Sequence, residues 1–167
     1  MKRLILLVGI PGSGKTTLAR KLIEKGYTTI SADSVREELY GDEAEQGEPE
    51  KVFAIFFERL EKILSTGADV VVDNTNLKAQ YRQEITERAK PFGYENPQIW
   101  ILDIPLNVCL KRNSLRERKV GDDIVSNMFN EFNRNGRPKS SEGKIVIVRS
   151  GEGENDFRFF YPERPSS

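Results

Sequence analysis

Residues Gly9 to Thr17 read G-I-P-G-S-G-K-T-T and satisfy the spacing G-x-x-x-x-G-K-[ST]. Glycines in such a loop let successive backbone N–H groups curl around a phosphate with no Cβ in the way. A helix that follows directs its positive end at the same anion. Lys15 can then reach the β and γ phosphates of a nucleoside triphosphate, and the Thr16 hydroxyl can ligate Mg²⁺. Gly12, Ser13, Gly14, Lys15, Thr16 and Thr17 are thus the expected phosphate site, with ATP or another nucleoside triphosphate and Mg²⁺ as its expected occupants.

Three further groups could supply chemistry. Asp33 follows a short β-forming run within three residues of Ile30. An aspartate there can accept the proton of an attacking hydroxyl or can cap the next helix. Arg36 is one turn later on the same face, where it either holds an anionic part of an acceptor or is a solvated arginine. Asp73-Asn74-Thr75-Asn76 leaves a second apolar run. Its acid can hold Mg²⁺ directly or through water, and Thr75 and Asn76 offer donors to a phosphate or hydroxyl; an Asx-type turn is the plainer alternative. Residues 105 to 120 carry Lys111, Arg112, Arg116, Arg118 and Lys119 against Glu117. The spacing of Arg112 and Arg116 puts both on one side of a helix, as a lid that stabilises a transferring phosphoryl group or as a solvated basic helix. The chain has no histidine, so a general base must be a carboxylate or a lysine.

Strands alternating with helices position these groups. Leu4 to Gly9 is apolar on both faces, as a central parallel strand is. A helix runs from Lys15 to Lys25 and stops at Gly26. Tyr27 to Ile30 reads as strand two. Asp33 or Ser34 then caps a helix through Leu39, with capping-box spacing from Ser34 to Glu37. The acidic stretch 41–50 reads as a solvated loop. Val52 to Leu64 returns to helical spacing, with Phe53, Phe56 and Phe57 either packing or forming a base-stacking surface. Strands at Ala68 to Asp73 and Ile99 to Leu102 follow, separated by a helix from Lys78 to Ala89. Pro105 can open a helix, another spans Asp122 to Phe132, and Ile145 to Val148 is the last expected strand. The tail from Gly151 can pack back on the body, and Pro162 to Ser167 reads as a free end. This order implies one three-layer α/β domain over 1–167, with a central, mainly parallel sheet and a helical lid at about 112–121.

Composition narrows the class. Hydrophobic residues make up 37% and charged residues 31% of 167, as in an ordinary globular enzyme. The 26 basic and 26 acidic residues balance, so any nucleic-acid role must rest on a local patch. Cys109 is the only cysteine, which excludes an internal disulfide and a cysteine zinc cluster. The apolar run after Met1-Lys2-Arg3 is too short for a signal peptide, and no stretch is long enough to cross a membrane; a cytoplasmic protein is the expectation.

Taken in order, Gly9 to Thr16, Asp33-x-x-Arg36, Asp73-Asn74-Thr75-Asn76-Leu77 and Lys111-Arg112-Asn113-Ser114-x-Arg116 resemble the kinase domain of phage-type polynucleotide 5′-kinases, over residues 2 to 135. The resemblance implies a P-loop kinase fold and transfer of the ATP γ-phosphate to a 5′-hydroxyl end of DNA or RNA. It assigns Lys15 and Thr16 to the ATP phosphates and Mg²⁺, and Asp33 to the general base. Arg36 and Thr75 would hold the phosphate 3′ of the reacting nucleotide, with Asn76 beside them. Arg116 would stabilise the transition state and Arg112 would lie near ATP. The D-x-D-G-T motif of the 3′-phosphatase that accompanies such kinases is absent, and Asp73 stands one residue earlier than the usual acid. A kinase of the same fold acting on a small molecule, a nucleoside or a modified base is the alternative, favoured by the zero net charge.

Overall fold

A computed structural model describes residues 2–41, 47–116, 120–153 and 156–162. Its centre is β1 (Leu4–Val8), buried at every position. Branched apolar side chains on both faces fit a strand with helices above and below. Around it a six-stranded sheet runs β2-β3-β1-β4-β5-β6, where β2 is Thr28–Ile30, β3 Val70–Asp73, β4 Gln98–Leu102, β5 Lys144–Ser150 and β6 Phe157–Phe160. The first five are mutually parallel.

Alternation along the strands divides the core. Leu4, Leu6, Val70 and Val72 face the helices α2 (Ala32–Tyr40), α3 (Pro49–Ser65) and α4 (Ala79–Ala89), through Val35, Phe56, Leu60 and Ile85. Ile5, Leu7, Val71 and Val146 face α1 (Lys15–Glu24), α5 (Leu106–Ser114) and α6 (Asp122–Glu131), through Leu18, Leu22, Cys109 and Val125. The register sets Leu7 level with Asp73 and Trp100, so the parallel strands release their loops along one edge. Crevices at such carboxyl edges are where open α/β sheets bind ligands.

Several expectations are corrected. Ile145 to Val148 is not the last strand: the tail turns at Gly151, whose N–H donates to Asp156 O at 2.8 Å, and β6 returns antiparallel to β5. Its aromatics pack on the edge of the sheet, with Phe159 T-shaped on Trp100 at 5.4 Å and Phe160 4.9 Å from the Arg149 guanidinium. Phe53 is half-buried while Phe56 and Phe57 are core, and α3 starts at Pro49, a residue suited to a first helical turn. Residues 42–46 of the acidic stretch and tail residues 163–167 lie outside the described residues. Among the described residues, no helix is long and apolar enough to cross a membrane.

Candidate active site

The phosphate loop leaves β1 and is braced on two sides. Gly9 N–H donates to Thr75 O at 3.1 Å, tying it to the loop after β3. Gly12, at φ 86°, sits so close to α5 that a Cβ there would run into the Cys109 carbonyl. Gly14 caps α1 at φ 100° with no side-chain cap, and the first turn of α1 holds no acid. The leading N–H groups of α1 are thus left to an external anion, which the helix dipole favours. The Ser13 hydroxyl is buried with no hydrogen-bond partner among the described residues. These features fit a nucleotide phosphate chain.

Lys15 lies folded over this cradle. Its Nζ donates to Gly9 O at 3.0 Å and to Ile10 O at 3.2 Å. Burial lowers its pKa below the usual lysine range, Asp73 and then Asp33 oppose the shift, and Arg116 adds to it. Asp73, half-buried at the end of β3, is the mirror case. Burial raises its pKa; Lys15 pulls it back, Asp33 raises it further and Arg116 lowers it. Lys15 and Asp73 therefore each sense the other and both Asp33 and Arg116. Thr16 and Asp73 offer one hydroxyl and one carboxylate, a donor set suited to Mg²⁺, which takes its remaining oxygens from phosphates and water.

Asp33 is not the helix cap. α2 starts at Ala32, and Ser31 is its N-cap, accepting from Ser34 N–H at 3.2 Å. A serine hydroxyl reaches that amide from the extended residue before the helix, which leaves the Asp33 carboxylate, 58% exposed, to pair with Arg36 Nη1 at 2.6 Å. The Asn74 side chain holds this helix start in place, since its Oδ1 accepts from Ala32 N–H at 2.8 Å.

Asn76 does not face an acceptor. It is buried at φ 49°, and its amide nitrogen donates to Leu7 O at 2.7 Å and to Val72 O at 3.5 Å. Its donors are spent on carbonyls near the ends of β1 and β3. Its own carbonyl accepts from Arg82, a buried residue that reads from sequence as one more surface arginine of α4.

Arg112 and Arg116 do not share a helix face. Arg112 is on α5, with Nη1 3.4 Å from Ser13 O, but Arg116 lies beyond the helix. The chain tightens there into i to i−3 bonds, Leu115 N–H to Arg112 O and Arg116 N–H to Asn113 O, while the Ser114 hydroxyl takes the Lys111 carbonyl. Glu117, Arg118 and Lys119 lie outside the described residues. The buried Asn113 closes the neck of the segment, its Nδ2 donating to Val120 O at 2.5 Å and its Oδ1 accepting from Val120 N–H at 3.3 Å. Its place inside the Lys111-to-Arg116 block was the signal that could have singled it out. Phe157, in the tail expected to pack back on the body, does so and stands beside Gly14 together with Arg112.

Comparison with known proteins agrees with this architecture. Over 147 residues the chain is 31% identical to a protein of Autographa californica nuclear polyhedrosis virus with the provisional name bifunctional polynucleotide kinase/RNA ligase, matching 78% of this chain and 21% of that protein. It is 30% identical over 141 residues to the L-seryl-tRNA(Sec) kinase of Methanococcus maripaludis, matching 80% of this chain and 53% of the relative. The chain thus spans about a fifth and about half of these relatives. A chain in the solved Pnkp1/Rnl/Hen1 RNA repair complex superposes with a TM-score of 0.70 at 19% identity, over 79% of this chain and 44% of that one, which shows a common fold. The family model described as AAA domain matches residues 4–138, the greater part of the sequence, and takes in the phosphate loop, both acids and the arginines. With its nucleotide-binding P-loop on a mainly parallel sheet, the chain belongs to this AAA domain family.

Proposed function

We propose that the protein is an ATP-dependent kinase that phosphorylates the 5′-hydroxyl end of RNA or DNA. The observation that carries the reading is the uncapped N-terminus of α1 with Lys15 folded over the phosphate loop, within electrostatic reach of Asp73, Asp33 and Arg116. ATP with Mg²⁺ supplies the phosphoryl group. The α1 N-terminus, Lys15, Thr16 and Thr17 hold its phosphates, Thr16 and Asp73 serve the metal, and Arg112 lies beside the nucleotide. Asp33 accepts the proton of the acceptor hydroxyl. Arg36 and Thr75 hold the phosphate on the 3′ side of that nucleotide, and Arg116 neutralises charge on the transferring group. The viral relative's name and the motif order support the polynucleotide acceptor.

The relative named L-seryl-tRNA(Sec) kinase favours a second reading, a hydroxyl acceptor other than a polynucleotide end. One experiment separates them: labelled ATP and Mg²⁺ with 5′-hydroxyl oligonucleotides, nucleoside 3′-monophosphates, nucleosides and small hydroxyl acceptors. The first reading expects oligonucleotides and 3′-monophosphates to exceed bare nucleosides by roughly 10- to 150-fold in kcat/KM, the worth of one arginine–phosphate contact. Equal values for monophosphate and nucleoside would favour the second.

A further inference from the structure

Four side chains run outward from Asp33 in one connected line. Arg36 bonds Asp33, and its guanidinium lies 5.8 Å from the centre of the Phe53 ring. The Phe53 ring is nearly parallel to that of Tyr81, tilted by 10° with centroids 6.0 Å apart. Lys78 Nζ stands 5.8 Å from the centre of the Tyr81 ring. Three elements contribute: Arg36 from the middle of α2, Phe53 from near the start of α3, and Tyr81 from the first turn of α4, which Lys78 precedes.

Core packing accounts for only part of this row: Phe53 packs against the core and meets Phe56 edge-on at 6.2 Å. Phe56, one turn along α3, is fully buried, whereas Tyr81 keeps 41% of its surface exposed and Lys78 is exposed. Arg36 has its Nε buried with no hydrogen-bond partner among the described residues, so its fork retains a donor after pairing with Asp33. Aromatic faces alternating with cations are the chemistry that binds single-stranded nucleic acid: bases stack on the rings and phosphates meet the charges.

We propose that Phe53 and Tyr81 form a stacking platform for the nucleobase that follows the phosphate held by Arg36, with Lys78 taking the next phosphate of a single-stranded oligonucleotide. This rests on the polynucleotide-kinase reading above and extends it by one nucleotide.

The test uses 5′-hydroxyl oligonucleotides with either a base or an abasic sugar at the second position. Binding is measured by fluorescence anisotropy, and phosphorylation with ATP and Mg²⁺ is measured in parallel. The wild-type protein is expected to bind the base-containing strand roughly 5- to 150-fold more tightly than the abasic one. Tyr81→Leu should abolish that preference and Tyr81→Phe should keep it. Lys78→Gln should weaken both strands alike and reduce the salt slope by about 0.7. A preference that survives in both Tyr81→Leu and Phe53→Leu overturns the platform, while continued phosphorylation of the strands leaves the kinase reading standing. If no oligonucleotide is phosphorylated while a small acceptor is, the kinase reading fails and the platform with it.

Discussion

Arg82 and Glu142, sixty residues apart, form a two-pronged ion pair beneath the acid loop. Arg82 Nε donates to Oε1 at 2.7 Å and Nη2 donates to Oε2 at 3.3 Å, with Arg82 only 1% exposed. The remaining Nη1 donates to Asn76 O at 2.9 Å, so the pair fixes the loop that carries Asp73 to Asn76. Removing one partner of a buried pair leaves an uncompensated charge and costs about 3–5 kcal/mol. Glu142→Ala is expected at the low end, about 3 kcal/mol, because Glu142 keeps some contact with water. Urea unfolding measures it; a loss well under 1 kcal/mol would mean that Arg82 finds water instead.

Lys15→Ala should abolish phosphoryl transfer without weakening the nucleotide-free protein. Burial lowers the Lys15 pKa, so its charged form is disfavoured on folding. Deleting the ammonium removes that cost, and the urea midpoint at neutral pH should match or exceed wild type. A markedly lower midpoint would recast Lys15 as a structural brace of the Gly9 and Ile10 carbonyls.

Asp33→Asn keeps shape but removes proton acceptance, and Arg116→Lys keeps charge but loses the planar fork that fits phosphate oxygens. Each should lower kcat on the order of 10²-fold or more with little change in ATP affinity. Steady-state kinetics beside direct ATP binding decides. Near-normal kcat in Asp33→Asn would reduce Asp33 to the ion-pair partner of Arg36, and near-normal kcat in Arg116→Lys would remove Arg116 from the reaction.

Asp73 gives a pH signature. Its folded pKa is raised above the ordinary aspartate value of 3.8, so between the two the folded state binds more protons than the unfolded state. Its contribution to stability is therefore complete below about 3.8 and is lost as pH rises through the folded pKa. Asp73→Asn should lack this decline. Urea midpoints from pH 3.5 to 7 for the two proteins test it, and parallel profiles would mean that Lys15 compensates the buried carboxylate fully.

The phosphate loop was legible because its chemistry tolerates few residues at few spacings, and β1 and β3 because fully buried parallel strands need unbroken apolar runs. Local geometry was less legible. Asp33 and Ser34 both look like caps, yet the cap is Ser31, because the helix already starts at Ala32, whose N–H is held by Asn74. Asn76 reads as a donor to a ligand, and Arg82 as an ordinary residue of an amphipathic helix, because their partners lie 69 and 60 residues away in sequence. β6 gave no strand signal because it packs by ring edges and cations on the rim of the sheet, with little of its surface buried.

The loop after β3 touches both halves of the cleft. Its Thr75 carbonyl receives the Gly9 amide of the phosphate loop, and its Asn74 side chain receives the Ala32 amide at the head of the helix bearing Asp33. The proposed donor and acceptor sites thus rest on a single crossbar four residues long. Any shift that one ligand imposes on that crossbar is felt by the other, and thermodynamic linkage makes the two effects equal in free energy. Asn74→Ala cuts one end of the crossbar, so it should weaken the cooperativity between the ligands more than the affinity for either alone.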